Sequence, residues 1–229
     1  VSTLAVVVGA TGGVGAALLD RLTLDARYDQ VIGLSRTGDP GLDITDEASI
    51  AARADQIASL GADPRLIIDA TGALTLNGAS PEKSWRQLNA KTLAAQFAVN
   101  AIGPALLMKH FLPLFPRQGR AVFATLSARV GSIGDNHLGG WYGYRASKAA
   151  LNQFVRTASI ELARTRPEAI CVALHPGTVA TGLSRPFVEG GPNVVSTDVA
   201  AEGLLSVVAK LAPGDTGSFF DQNGAPIEW

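Results

Sequence analysis

Short apolar runs alternate along this chain with longer segments whose apolar residues recur every three or four positions. The short runs, at residues 4–8, 30–34, 66–68, 120–126, 170–174 and 218–221, predict strands. The longer segments, at 16–24, 48–60, 93–114, 144–164 and 198–211, predict helices, with Pro104 as a kink or break inside the third. Regular alternation of strand and helix implies parallel βαβ units. The expected architecture is therefore α/β: a doubly wound parallel sheet with helices on both faces. No linker, composition shift or internal repeat interrupts the pattern, so residues 1–229 read as a single domain. Residues 182–196, with Pro186, Gly190, Gly191 and Pro192, form the one long irregular stretch, either a substrate lid or a plain surface loop.

Composition narrows the function classes. Hydrophobic residues make up 47% of the 229 and charged residues 17%, which is globular composition. The formal net charge of −1 gives no electrostatic footprint for nucleic acid or an anionic membrane surface. Cys171 is the only cysteine, and His110, His137 and His175 lack metal-ligand spacing, so no disulfide, zinc or other metal site is expected. The chain opens directly on an apolar strand, and no apolar run is expected to cross a bilayer. Cytoplasm is the expected location.

Three local patterns carry chemistry. The first strand runs into Gly9-Ala10-Thr11-Gly12-Gly13-Val14-Gly15, and a helix follows. Glycines there let backbone N–H groups approach a pyrophosphate, and the helix N-terminus adds positive potential. Between first strand and first helix, this turn points to a dinucleotide site of the Rossmann type. The second strand ends in Ser35-Arg36, where NAD-binding chains place an acid. A hydroxyl and a guanidinium suit a 2′-phosphate instead, so NADP(H) is expected, with NAD(H) still open through Asp39. Tyr144 and Lys148 stand four residues apart at the start of a predicted helix, on one face. A neighbouring ammonium is expected to lower the phenol's pKa and fit it for proton transfer.

The spacing Gly9, Gly13, Gly15 and the pair Tyr144/Lys148 resemble the short-chain dehydrogenase/reductase family, and the resemblance covers essentially the whole chain. Gly131-Ser132-Ile133-Gly134-Asp135-Asn136, Gly139-Gly140-Trp141-Tyr142-Gly143-Tyr144-Arg145-Ala146-Ser147-Lys148-Ala149-Ala150-Leu151-Asn152 and the C-terminal Asp221-Gln222-Asn223-Gly224-Ala225-Pro226-Ile227 are similar to its C-factor-like branch, which includes sniffer-type carbonyl reductases. Val8 departs from the family's threonine before the first glycine. The resemblance implies a dinucleotide-binding half over about 1–115 and a catalytic and substrate half over about 116–229. It sets Asp43 and Ile44 beside the adenine. Asp69-Ala70-Thr71-Gly72 falls where the family has Asn-Asn-Ala-Gly, bringing Ala70, Thr71 and Gly72 to the ribose. Lys148 would hold the nicotinamide ribose, and Pro176, Gly177, Val179 and Thr181 the nicotinamide carboxamide. Asn100 matches the asparagine that holds a water in a proton relay to the lysine. The family's substrate-binding serine falls on Ala128; Ser127, one residue earlier, is expected to serve, with Ser132 the competing choice.

The implied function is hydride transfer between nicotinamide and a small carbonyl or alcohol substrate, with Asn100, Ser127, Tyr144 and Lys148 as the catalytic set. A regulatory or signalling protein that binds NADPH and keeps only vestigial catalysis is the alternative. Enoyl reductases of the family usually space tyrosine and lysine further apart. Leu74, Leu76, Trp141 and the 182–196 stretch would line an apolar substrate pocket. The helices at 93–114 and 144–164 carry apolar residues on more than one face. They either pair between subunits, giving a homodimer or homotetramer, or are buried within one.

Overall fold

A computed structural model describes residues 1–76, 78–182 and 194–229. The strands of the central sheet are β1 (Thr3–Val8), β2 (Gln30–Leu34), β3 (Asp63–Asp69), β4 (Ala121–Leu126), β5 (Ala169–His175) and β8 (Phe219–Asp221). All pairings are parallel, in the order β2-β1-β3-β4-β5-β8. The helices are α1 (Gly13–Thr23), α2 (Glu47–Ser59), α3 (Ala90–Phe97), α4 (Gly103–Phe111), α5 (Tyr142–Thr165) and α6 (Thr197–Lys210).

Alternation along the strands builds the layers. Leu4, Val6 and Val8 of β1 share one core with Ile50 and Ile57 of α2, Leu107 and Phe111 of α4 and Leu151 and Val155 of α5. Ala5 and Val7 point the other way, into a second core with Leu18 and Leu22 of α1 and Leu204 and Val208 of α6. Burial on both faces explains why the strands read as unbroken apolar runs. Each fully buried Leu, Val or Ile contributes about 1.5–3 kcal/mol of transfer free energy. The doubly wound single sheet expected from the sequence is thus present.

The order in which strands are added reverses between β1 and β3: β2 lies on one side of β1, and β3, β4, β5 and β8 on the other. Ligands in such sheets sit at the carboxyl ends of the strands beside this switch point. A short parallel ladder, β6 (Thr178–Val179) with β7 (Val194–Val195), closes the base of the irregular stretch. Most of residues 182–196 lie outside the described residues, so the lid expectation falls outside them too.

The third predicted helix differs from expectation. It is split by a π-helical turn over Ala98–Ile102, and Pro104 falls in the first turn of α4, where a missing N–H costs little. The interruption of the α-helix is thus the π turn ahead of the proline, and the helical stretch runs on through Pro104. The continuous helical stretch Ala90–Leu114 is also long and apolar enough to cross a membrane by length and composition, which corrects the expectation that no such run exists. Here it packs against α2 and α5, with Gln96 and Asn100 buried in the fold.

Candidate active site

The strand ends converge on a cavity of about 720 Å³. Thr11, Gly12, Gly13 and Val14 line it from the β1–α1 turn, and Ala70, Thr71 and Gly72 from the end of β3. Ser127 and Ala128 enter from β4, Tyr144 and Lys148 from α5, and His175, Pro176, Gly177, Val179 and Thr181 from the end of β5. Leu74, Leu126, Val130, Leu138 and Trp141 make its apolar wall. Leu76, expected in this wall, is instead bridged to Ala79 outside the lining.

The glycine turn has the shape a dinucleotide needs. A side chain at Gly15 would overlap the Gly9 carbonyl oxygen, so the turn closes only with glycine there. A Cβ at Gly13 would stand 2.9 Å from Thr181 Cγ2. Helix α1 starts at Gly12 with no side-chain cap, whereas Asp46, Asn89 and Ser196 cap α2, α3 and α6. An uncapped helix start beside a cavity is a ready anion site.

Ser35, Arg36, Asp43 and Ile44 lie beyond the cavity, at and after the end of β2. Ser35 is buried and Arg36 is exposed. Thr45 donates its hydroxyl and N–H to Asp43 and, with some help from the Arg36 charge, holds that carboxyl below its usual range. Ile44 packs against Gly103. A cation at this edge and no acid directly after the strand fit a 2′-phosphate better than a bare ribose.

Asn100 sits in the π turn, fully buried. Its Oδ1 accepts from Ala73 N at 2.9 Å, and its Nδ2 donates to Ala73 O at 2.8 Å and to Gln96 Oε1 at 2.6 Å. Gln96 Nε2 in turn donates to Leu74 O at 2.9 Å. The pair therefore braces the segment leaving β3. Gly72 lies between Asn100 and Lys148: a Cβ there would be 3.2 Å from Asn100 Oδ1 and 3.4 Å from Lys148 Nζ.

Helix α5 begins after three residues with left-handed backbone, Gly139, Gly140 and Trp141, the last at φ 51°. Such a conformation is costly for a tryptophan and persists only where surroundings impose it. Glu82 supplies part of that constraint: its carbonyl accepts from Trp141 N and its carboxylate from Gly143 N. The Trp141 ring stands edge-on to Tyr144, with centroids 6.2 Å apart.

Lys148 is buried and donates to Leu126 O at 2.8 Å. Burial pulls its ammonium down to about 8, against the opposing pull of Asp69. Burial also pushes the Tyr144 phenol up to about 12. The direction is opposite to the expected lowering by Lys148: loss of water around the phenol is the cause, and the Lys148 charge does not enter it. His175 is driven down to about 4 by burial and the Arg129 charge, so it is neutral.

The two candidate serines are placed differently. Ser127 lines the cavity, and its Oγ donates to Asn152 Oδ1 at 2.6 Å. Ser132 is buried away from the lining, its Oγ accepting from Asp135 N at 3.1 Å. Asn152 was not singled out from the sequence, although it repeats the four-residue step of Tyr144 and Lys148 along α5.

A family model of the short-chain type, described as enoyl-(acyl carrier protein) reductase, matches residues 40–205. This chain belongs to the short-chain dehydrogenase/reductase family. Within the family it is similar to the C-signal of Myxococcus xanthus, 37% identical over 139 residues, which span 60% of this chain and 78% of that protein. It is 34% identical over 134 residues to 1-hydroxy-2-glutathionyl-2-methyl-3-butene dehydrogenase of Rhodococcus, a match spanning 58% of this chain but only 57% of the relative. Among solved structures, NADPH-bound carbonyl reductase from chicken fatty liver superposes with a TM-score of 0.87 at 27% identity, covering 100% of this chain and 94% of that one. A short-chain dehydrogenase/reductase from Burkholderia multivorans with bound NADP gives 0.81 at 26%, covering 100% of each. The carbonyl reductase Sniffer of Drosophila melanogaster shares the fold, with a TM-score of 0.85 at 22% identity over 100% of this chain and 99% of its own.

Proposed function

We propose that this family member is an NADP(H)-dependent oxidoreductase acting on a small carbonyl or alcohol substrate, with Tyr144 as general acid/base. One observation carries the reading: a single cavity is lined by the glycine turn at one end and by Tyr144 and Lys148, on one face of α5, at the other. The uncapped α1 start, the Ser35-Arg36 edge and the NADP(H)-bound relatives of like fold support the choice of cofactor.

Thr11 to Val14 would hold the pyrophosphate, Ser35 and Arg36 the 2′-phosphate, and Pro176 to Thr181 the carboxamide. When bound, NADPH supplies a hydride to the carbonyl carbon. Tyr144 gives its proton to the carbonyl oxygen, and a phenol held near 12 is fully protonated for that task at neutral pH. Lys148 holds the ribose hydroxyls and restores the proton through a water. Both Nδ2 hydrogens of Asn100 are taken by Ala73 and Gln96, while its Oδ1 accepts from Ala73 N and retains a second acceptor position for that water. Leu74, Leu126, Val130 and Trp141 favour an apolar or aromatic carbonyl compound. The four-residue Tyr144–Lys148 step supports carbonyl rather than enoyl reduction.

Tyr144→Phe tests the reading. NADPH consumption with a panel of aromatic aldehydes and ketones should fall by at least about 10²-fold, the usual worth of a general acid, while NADPH binding persists. Unchanged turnover would remove Tyr144 from the chemistry. A second reading, a regulatory protein with vestigial catalysis, draws support from Ala128 at the family's serine position and from the similarity to the C-signal. Turnover of any carbonyl compound by the wild-type chain separates the two.

A further inference from the structure

Asp69 ends β3 as a fully buried carboxylate. It is gripped from two strands. Thr71 donates to Oδ1 through its N–H at 3.0 Å and its hydroxyl at 2.5 Å, and Thr125 of β4 donates to Oδ2 at 2.6 Å. Thr125 is the residue opposite Asp69 in the β3–β4 register. One residue further along β4, Leu126 offers its carbonyl to Lys148 Nζ. Gly72, three residues after Asp69, lies against Lys148: a Cβ there would be 3.4 Å from Nζ. Burial raises this carboxyl, and the three donors from Thr71 and Thr125 oppose that by favouring its ionised form.

We propose that Asp69, fixed by Thr71 and Thr125, is a positioning residue that supplies the counter-charge for Lys148 and keeps its ammonium protonated inside the site. The inference rests on the Tyr144–Lys148 chemistry proposed above, for only there does the charge on Lys148 matter. Among the described residues, the other groups on the elements around Lys148 supply no counter-charge. Tyr144, one turn earlier on α5, stays a neutral phenol. The π turn contributes Asn100, which carries no charge. On β5, Cys171 stays a thiol and His175 is neutral. Arg129, from the turn after β4, is engaged at 3.6 Å with Asp135 and 3.5 Å with Asp221. Burial disfavours both charges, pulling Lys148 down and Asp69 up, and each charge opposes that effect on the other.

The test is the titration of Lys148 followed by NMR of ¹³C-labelled lysine in the full chain, with its signal assigned by Lys148→Met. Asp69→Asn keeps the shape and removes the charge. It should lower the Lys148 midpoint by about one pH unit or more, the effect of losing one close opposite charge. The alkaline limb of kcat/KM for NADPH-driven reduction of an aromatic aldehyde should move down by the same amount. If the Asn variant does not fold, Asp69→Ser carries the same expectation. An unmoved midpoint in a folded variant overturns the proposal and leaves Asp69 a purely structural residue. A lowered midpoint in a chain without carbonyl turnover upholds the Asp69–Lys148 coupling and defeats the carbonyl reading instead.

Discussion

Ser127 gives its hydroxyl hydrogen to Asn152, Oγ to Oδ1 at 2.6 Å, while Asn152 Nδ2 reaches Gly131 O at 3.3 Å. The amide thus faces Ser127 with its acceptor end. A serine hydroxyl has one proton, so Ser127 can polarise a substrate carbonyl only by exchanging partners. Its contribution to turnover should therefore be modest. Ser127→Ala is expected to lower kcat/KM about 3- to 10-fold, the range of one neutral hydrogen bond. Ser132→Ala should leave it unchanged, because Ser132 is absent from the cavity lining. The reverse order of losses would transfer the role to Ser132.

The exposed Arg36 at the end of β2 makes cofactor choice testable by binding alone. Titration with NADPH and NADH can be followed by quenching of the three tryptophans. Arg36→Ala should weaken NADPH about tenfold or more and leave NADH untouched, as one charge-assisted hydrogen bond is worth about 1.5–3 kcal/mol. Equal weakening of both would mean that Arg36 packs on the adenosine rather than on the 2′-phosphate. Better binding of NADH by the wild-type chain would move the assignment to Asp39.

A pH effect on stability follows from His175. Its folded-state value, near 4, lies below its ordinary 6.5. Between those values the unfolded chain binds a proton that the folded chain does not. This contribution to stability is therefore full above about 6.5 and is lost as pH falls towards 4. Urea unfolding at pH 7 and pH 5 should show a drop that is smaller in His175→Asn by about 1–2 kcal/mol. Asp69, held above the usual carboxylate range, contributes the opposite slope in both proteins and cancels in the comparison. Equal drops would mean that another group governs the acid limb.

Much of this was legible in the amino-acid sequence, for local reasons. The β1 run and the glycines after it announce a strand, a tight turn and a helix within a dozen residues. Tyr144 and Lys148 share a face because four residues make about one helical turn. What stayed hidden depends on distance or on geometry without a periodic trace. The π turn at Asn100 has no composition signal of its own, since Ala98-Val99-Asn100-Ala101-Ile102 reads as ordinary helix. Asp69 stands out as a departure from the family's asparagine, yet its partner Thr125 lies 56 residues away and is met only across the sheet. The direction of the Tyr144 shift was misread because two residues on one face reveal a neighbouring charge but not the loss of water.

The cavity is supplied by separate visits of the chain to one edge of the sheet, at residues 11–14, 70–74, 126–130, 141–148 and 175–182. No contiguous stretch owns it. A fragment ending before residue 121 would keep the glycine turn but lack the strand that carries Ser127 and the helix that carries Tyr144. The reverse fragment would hold the proposed proton donor, Tyr144, without the glycine turn proposed to seat the pyrophosphate. Catalytic competence in this architecture is therefore a late acquisition of assembly, present only once the chain has crossed the switch point and returned. A trace of activity recovered during refolding would report the completed sheet, not any one of its parts.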